Sequence, residues 1–301
     1  MEKKRYVELR DRGGYPAGPL GYVCRDYMAR TTAIDMADIP ESEIPADAVR
    51  LDMDHGNPDA EYKVYGWMTD DGEIKLWTNA DTIRLDDYTA EMFSNLPSVT
   101  RIDLSMFSTE GLTSTKDMFL NCKMLESVDL SGFDTTEVRD MSGMFCGCES
   151  LTSLDLTSFN TTSTWDMSRM FSGCSNLKSV NLSSFRNGMV SMDRMFDHCL
   201  RLESIDISCF HIGGIQDMTA MFCECMNLKE IRFPSATDRR LSPPMNKMFD
   251  GCESLESLDL SAFDGQSIRE AENLLRNCNS LKDVRYPDDN LETIDIADIQ
   301  F

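Results

Sequence analysis

The chain has 301 residues, 41% of them apolar, and a formal charge of -23 at pH 7. That apolar share is enough for a sizeable core and excludes disorder throughout. The charge excludes direct binding of nucleic acid or of an anionic membrane, because phosphates would be repelled rather than stripped of their counterions, and it favours a basic protein partner.

Residues 1–61 do not repeat and form a nonrepetitive acidic N-terminal region. Its start, "MEKKRYVELRDRGGYP", is basic but lacks the apolar run of about 7 to 15 residues that a secretory signal needs, and no stretch reaches the roughly 18 apolar residues of a membrane span. The expectation is a cytoplasmic protein; a cell-surface protein whose signal peptide has been removed is the alternative. Between Asp35 and Glu91 there are 16 Asp or Glu against 4 Lys or Arg. Such a run reads either as a solvated face or as an acidic surface that docks on a basic partner.

Residues 62–91 are expected to hold a capping hairpin. "YKVYGWMTDDGEIKLWT", from Tyr62, alternates apolar and polar residues on both sides of Asp70, Asp71 and Gly72, a hairpin signal. A hairpin there would cover an open strand edge.

From residue 92 to 286 the chain repeats itself. "DMSGMFCGCESLTSLDLTSF" from Asp140 returns as "DMSRMFSGCSNLKSVNLSSF" from Asp166. Met-Phe recurs at Met92, Met118, Met144, Met170, Met195, Met221 and Met248, and Leu274 marks an eighth unit, at spacings of 25 to 27 residues. Four positions on stands Cys122, Cys148, Cys174, Cys199, Cys225, Cys252 or Cys278, with Leu96 in the first unit; seven of the 11 Cys thus belong to one column. They read as small buried side chains rather than as a disulfide scaffold. Met141, Met144, Phe145 and Cys148, at i, i+3, i+4 and i+7 behind Asp140, predict a short capped helix, and the alternating "SLDL" predicts a strand. Units of this kind must stack to bury their apolar faces, so the expected fold is an α/β repeat, a solenoid with a parallel strand ladder roughly 35 to 40 Å long. Residues 287–301 read as a C-terminal capping strand.

The outward strand column is Asp103, Asp129, Asp155, Asn181, Asp206, Arg232, Asp259 and Arg285, with Ser127, Ser153, Ser179, Ser204 and Ser257 beside it. Two readings compete for it: carboxylates satisfied by neighbouring hydroxyls or backbone groups, or a concave acidic strip that receives Lys and Arg of a partner. The sixth unit is irregular, with Pro243, Pro244 and an inserted residue, and its loop bearing Arg239 and Arg240 is a second candidate binding element, or a scar of repeat divergence.

The "LTSLDLSSF"-like strands joined to "DMSxMFxGCxxL" segments resemble the BspA-like leucine-rich repeats of bacterial surface proteins, also called the lactobacillus surface protein repeat. The resemblance spans about residues 92 to 286 and implies a leucine-rich-repeat solenoid, adhesion or protein binding, no enzymatic activity, and usually secretion.

No nucleophile, phosphate-loop or metalloprotease motif is present, and the two CxC pairs, Cys146 with Cys148 and Cys223 with Cys225, already have a member in the interior column. The chain reads as no enzyme, with no cofactor and no metal. The expected function is a noncatalytic protein-binding scaffold: an acidic cytoplasmic binder or inhibitor of a basic, nucleic-acid-handling, defence-related protein, with a surface adhesin as the alternative. Neither the partner's identity nor the oligomeric state follows from the sequence.

Overall fold

In the computed structural model of the chain, residues 6–8, 30–52, 60–86, 90–186, 189–210, 214–234 and 241–287 are described. The loop residues Arg239 and Arg240, and residues 288–301 of the expected closing strand, lie outside them.

Strands are short and numerous: β1 (Tyr6–Glu8), β2 (Ala33–Met36), β3 (Val49–Arg50), β4 (Val64–Met68), β5 (Glu73–Thr78), β6 (Thr82–Arg84), β7 (Arg101–Ile102), β8 (Phe107–Ser108), β9 (Val190–Ser191), β10 (Ser204–Asp206), β11 (Ile215–Asp217), β12 (Glu230–Arg232), β13 (Ser257–Asp259) and β14 (Asp283–Arg285). A five-stranded sheet in the order β3-β4-β5-β2-β7 starts the stack. In it β4 and β5 form the expected antiparallel hairpin, Val64 opposite Thr78 through Met68 opposite Ile74. The hairpin does not sit directly on the first unit, because β2 lies between them, parallel to both β5 and β7. Ion pairs lock this junction. Lys75 Nζ lies 2.9 Å from Asp35 and 2.7 Å from Glu73, and the Arg101 guanidinium bonds the same two carboxylates.

The Met-Phe segments depart from expectation. They are not helices; among the described residues the one α-helix is α1 (Gly265–Glu270), whose N-cap Asp264 accepts from the backbone N–H of Gln266 and Ser267. Each segment is instead a chain of tight turns. Met144, Cys146 and Cys148 donate backbone N–H bonds three residues back, to Met141, Gly143 and Phe145, while the alternate residues Met141, Gly143, Phe145 and Gly147 donate to Asp166, Ser168, Met170 and Ser172 of the next unit at 2.8–2.9 Å. The same alternation links the units on either side.

Such a path needs left-handed backbone at two columns, one residue before the Met and one before the Cys. Gly143 and Gly147 (φ 64° and 75°) occupy them in the third unit, Asp117 and Asn121 (φ 53° and 58°) in the second, Asn273 and Asn277 (φ 55° and 61°) in the eighth. Glycine takes this conformation freely and Asn or Asp at small cost, whereas a continuous right-handed helix could not contain it.

Stacking buries the columns. Phe93, Phe119, Phe145, Phe171, Phe196, Phe222 and Phe249 are fully buried and their rings follow one another face to face, with centroids 5.2–6.0 Å apart and planes within 12°. Each such contact adds about 0.5–1.5 kcal/mol beyond area burial. Every column Cys is buried too, and its thiol donates to the Phe carbonyl of the unit before, from Cys122 to Phe93 (2.9 Å) through Cys278 to Phe249 (3.1 Å). A further ladder went unread in the sequence. Buried Thr109, Thr135 and Thr161 each donate a hydroxyl to a carbonyl one unit on, at Asp134, Asn160 and Arg186, and accept that same residue's N–H.

The "SLDL" strands are less continuous than expected. Parallel pairing is seen for β10 with β12 and for β13 with β14, whereas residues 127–129, 153–155 and 179–181 form no named strand and their neighbourhood is tied by sparse bonds such as Lys178 N–H to Thr152 O at 3.2 Å. In every unit that carries Asp or Asn in this column, those of β10 and β13 included, the N–H two residues on turns to that side chain and the extended segment stops there.

Three outcomes follow. Thr115 stands where later units have Met141 and Met167, and its buried Oγ1 has no hydrogen-bond partner among the described residues. Thr115→Val should therefore raise stability by about 1 kcal/mol in chemical denaturation, because it deletes an unsatisfied buried hydroxyl while keeping shape. Burial pushes Cys122 and Cys278 up to about 12 and Cys148, Cys199, Cys225 and Cys252 well above the ordinary thiol value. An alkylating reagent at pH 8, with peptide mapping, should leave these thiols unlabelled until the chain is unfolded.

At the junction, burial works against the Asp35 charge, but hydrogen bonds from Arg101 and Lys75 outweigh it and hold the carboxyl below its ordinary 3.8; bonds from Lys75 and then Arg101 lower Glu73 likewise. A depressed carboxylate stabilises above its unfolded pKa and loses that contribution as pH falls through the folded value. The melting-temperature gap between wild type and Asp35→Asn should thus be constant from about pH 5 to 8 and close below about pH 4. A gap that persists at pH 2 would show that the charge of Asp35 is not what holds the junction.

Candidate functional site

The strand column places its polar residues on one face of the stack. Asp129, Asp155, Asn181, Asp206, Arg232, Asp259 and Arg285 are exposed and Asp103 is half-buried, with Ser127, Ser153, Ser179, Ser204 and Ser257 exposed beside them. The neighbours that alternate with them, such as Leu130, Leu156 and Leu182, are buried, so the column faces outward as strand periodicity requires.

Each carboxylate is fixed by its own chain. Asp103, Asp129, Asp155, Asp206 and Asp259 accept the backbone N–H of Ser105, Ser131, Thr157, Ser208 and Ser261 at 2.9–3.0 Å, and Asn181 accepts that of Ser183 at 3.0 Å. These are Asx turns, in which a short polar side chain imitates a backbone acceptor. The bonds also act on charge. The N–H of Ser131 and its hydroxyl lower Asp129, the Thr157 hydroxyl and N–H lower Asp155, and the Ser208 hydroxyl and N–H lower Asp206, so all three remain ionised at neutral pH.

The row has two halves. Among the described residues Asp103, Asp129, Asp155 and Asp206 make no ion pair, whereas Arg285 lies 3.5 Å from Asp259 and Arg232 3.1 Å from Glu230 of its own unit. Where Arg232 interrupts the row there is a concavity of about 480 Å³ with Phe233 and Pro234 in its wall.

Register carries the row into the cap. Ile34 pairs with Ile102, so Asp35 follows opposite Asp103; Asp35 pairs with Lys75, and Lys75 with Trp67. Ile34, Ile74 and Ile102 are buried beneath, so Asp103, Asp35, Lys75 and Trp67 share the outward face. Sequence reasoning missed this continuation, because nothing in "AIDM" announces a strand that pairs with two segments far along the chain.

Other candidates are dispersed. Asp250 is nearly fully buried and gripped by Arg276 (3.0 Å) and Asn277 (3.1 Å), a structural pair between the seventh and eighth units. His198 contacts Asp197 at 2.6 Å on the surface. Among the described residues no group of three or more His, Cys, Asp or Glu is arranged to hold a metal ion, all ten described cysteines are free thiols, and no helix is long and apolar enough to cross a membrane.

Comparison with known proteins adds a family and little else. No curated protein matches the chain. Among solved structures, a leucine rich cell surface protein from Faecalibacterium prausnitzii A2-165 is similar at 17% identity over 70% of this chain and 80% of that one, with a TM-score of 0.25. Residues 88–190 and 190–298 each match the family described as "Mycoplasma protein of unknown function, DUF285". These two copies take in all eight repeat units and well over half of the chain, and the chain therefore belongs to the DUF285 family.

Proposed function

We propose that the protein is a noncatalytic binding scaffold, a leucine-rich-repeat solenoid of the BspA-like kind, whose outward carboxylate row receives Lys and Arg side chains of a basic protein. One observation carries this reading. Asn181 makes the same turn-closing bond as its Asp neighbours, at 3.0 Å against 2.9 Å for Asp129, without a charge. At that step the fold therefore uses an acceptor and needs no anion. Like charges repeated about every 5 Å along Asp103, Asp129 and Asp155 oppose one another, so these three neighbouring, unpaired carboxylates carry a mutual repulsion that the turns do not require. A cationic partner removes it.

The free thiols of the Cys column support a reducing compartment, since seven of them spend their S–H on carbonyls of the preceding unit. In its narrowest form the reading is an intracellular binder or inhibitor of a protein whose basic groove handles nucleic acid, with the carboxylates standing where phosphates would.

Asn is the instrument for testing it, because it keeps the turn and deletes the charge. Binding of the full chain to a fluorescent oligoarginine peptide should weaken and lose salt dependence in the triple variant Asp129→Asn, Asp155→Asn, Asp206→Asn, with the melting temperature not lowered. Asp155→Ala, which removes the acceptor as well, should also lower the melting temperature. Unchanged affinity in the triple Asn variant would reject the row as the binding surface.

A further inference from the structure

At the cap end of the outward row, between the β4–β5 turn and residues 47–49, lies a cleft of about 400 Å³, within the size range of ligand sites. Trp67, Met68 and Val49 supply an apolar wall, and Asp47, Asp70 and Asp71 stand around it. The three carboxylates are exposed, and among the described residues no cation pairs with them. Arg30 also lines the cleft and offsets one of the three charges, which leaves the site net negative.

The geometry points to this cleft as the seat of one cationic side chain, a guanidinium or ammonium held on the face of Trp67 with carboxylates around its charged end. An aromatic face attracts a cation through the ring quadrupole, and a partly enclosed site strengthens that attraction by removing water. The apolar wall would take the methylene stem that Lys and Arg carry behind their charge.

The frame is already built. Thr69 O accepts the N–H of Gly72 at 3.0 Å, Thr69 Oγ1 accepts that of Glu73 at 3.1 Å, and Gly72 O accepts that of Thr32 at 2.9 Å, so the turn is tied to the chain leading into β2. Gly72 itself is left-handed, at φ 84°, and a Cβ there would meet the Arg30 carbonyl oxygen at 2.8 Å. The turn therefore presents Asp70 and Asp71 without having to order itself first, which lowers the cost of binding.

This inference rests on the protein-binding reading for the identity of what presents the cation, and it adds where that partner is anchored. Trp67 is three strands from Asp103 along one face, about 14 Å at normal strand spacing. A segment of four or five extended residues spans that distance, so a cation in the cleft and further basic residues over Asp103 and Asp129 can belong to one stretch of partner.

The test reads the cleft alone. The full chain is titrated with N-acetyl-arginine methylamide and, separately, with the uncharged N-acetyl-citrulline methylamide, while the indole N–H signals of the three Trp residues are followed by NMR. The Trp67 signal, identified by its loss in Trp67→Phe, should move saturably with the arginine probe, with Trp77 and Trp165 unmoved. The citrulline probe should bind about tenfold more weakly, and Asp70→Asn with Asp71→Asn should weaken the arginine probe to a similar degree. The triple Asn variant of the row should titrate like wild type. A saturable Trp67 shift with that outcome sustains the cleft even if the oligoarginine experiment rejects the row. No Trp67 shift, an equal shift of Trp165, or equal binding of the citrulline probe overturns it, whatever the row does.

Discussion

Each unit's Phe is completed by the next unit, and the stack depends on that arrangement. Phe145 donates its N–H to Met170 of the following unit, while its carbonyl accepts both the N–H of Cys148 in its own unit and the thiol of Cys174 in the next. Its ring lies between those of Phe119 and Phe171. A buried N–H with no acceptor, or a buried ring with one bare face, would be costly, and for Phe145 both are completed only by neighbouring units. The exceptions at the two ends obey the same logic. Leu96 fills the Cys position in the first unit, where no earlier Met-Phe carbonyl exists to receive a thiol, and Leu275 replaces the Phe in the eighth, which has a Phe neighbour on one side only. Stability is then a matter of neighbours, as in other one-dimensional repeats.

The columns were legible in the sequence because burial demands the same residue class at each step: Met144, Phe145, Cys148 and Leu151 repeat and all are buried. Their secondary structure was not, because i, i+3, i+4 and i+7 spacing is shared by a helix face and by successive turns that close every four residues. The distinguishing signal was present but unweighted. Gly, Asn or Asp at Asn95, Asp117, Asn121, Gly143, Gly147, Gly173, Gly251, Asn273 and Asn277 marks left-handed backbone in the middle of what spacing alone calls helical. Arg169, Arg194, Ala220 and Lys247 blur that signal by taking the same conformation without a residue suited to it. Long-range partners were illegible for a different reason. The junction of Asp35, Glu73, Lys75 and Arg101 joins residues up to 66 apart in sequence, and no periodicity links a single nonrepeating strand to the stack it covers.

The candidate site divides along the same line. The row of Asp103, Asp129, Asp155, Asn181 and Asp206 follows from period-two alternation multiplied by the repeat, and its fixing by Asx turns follows from Ser or Thr two residues on. Trp67 and its carboxylates do not follow, since Asp70, Asp71 and Gly72 read fully as a turn and give no reason to look for a wall behind it. A turn sequence satisfied by its local role conceals any second one.

Charge along the row also sets a direction. Toward the C-terminal end Arg232 and Arg285 pair with Glu230 and Asp259, so that half offers a partner little net field. Toward the cap Asp103, Asp129 and Asp155 make no ion pair among the described residues, and their field adds to that of Asp47, Asp70 and Asp71. Lys75 interrupts the face between Asp103 and Trp67, but its charge is already shared between Asp35 and Glu73. A flexible basic segment drawn to this surface would therefore meet the strongest attraction between Asp155 and the cap, with the aromatic face at its far end. The graded field would set where such a segment lies, and the Phe and Cys columns beneath, in which every unit completes its neighbour, set the spacing of the carboxylates it would meet.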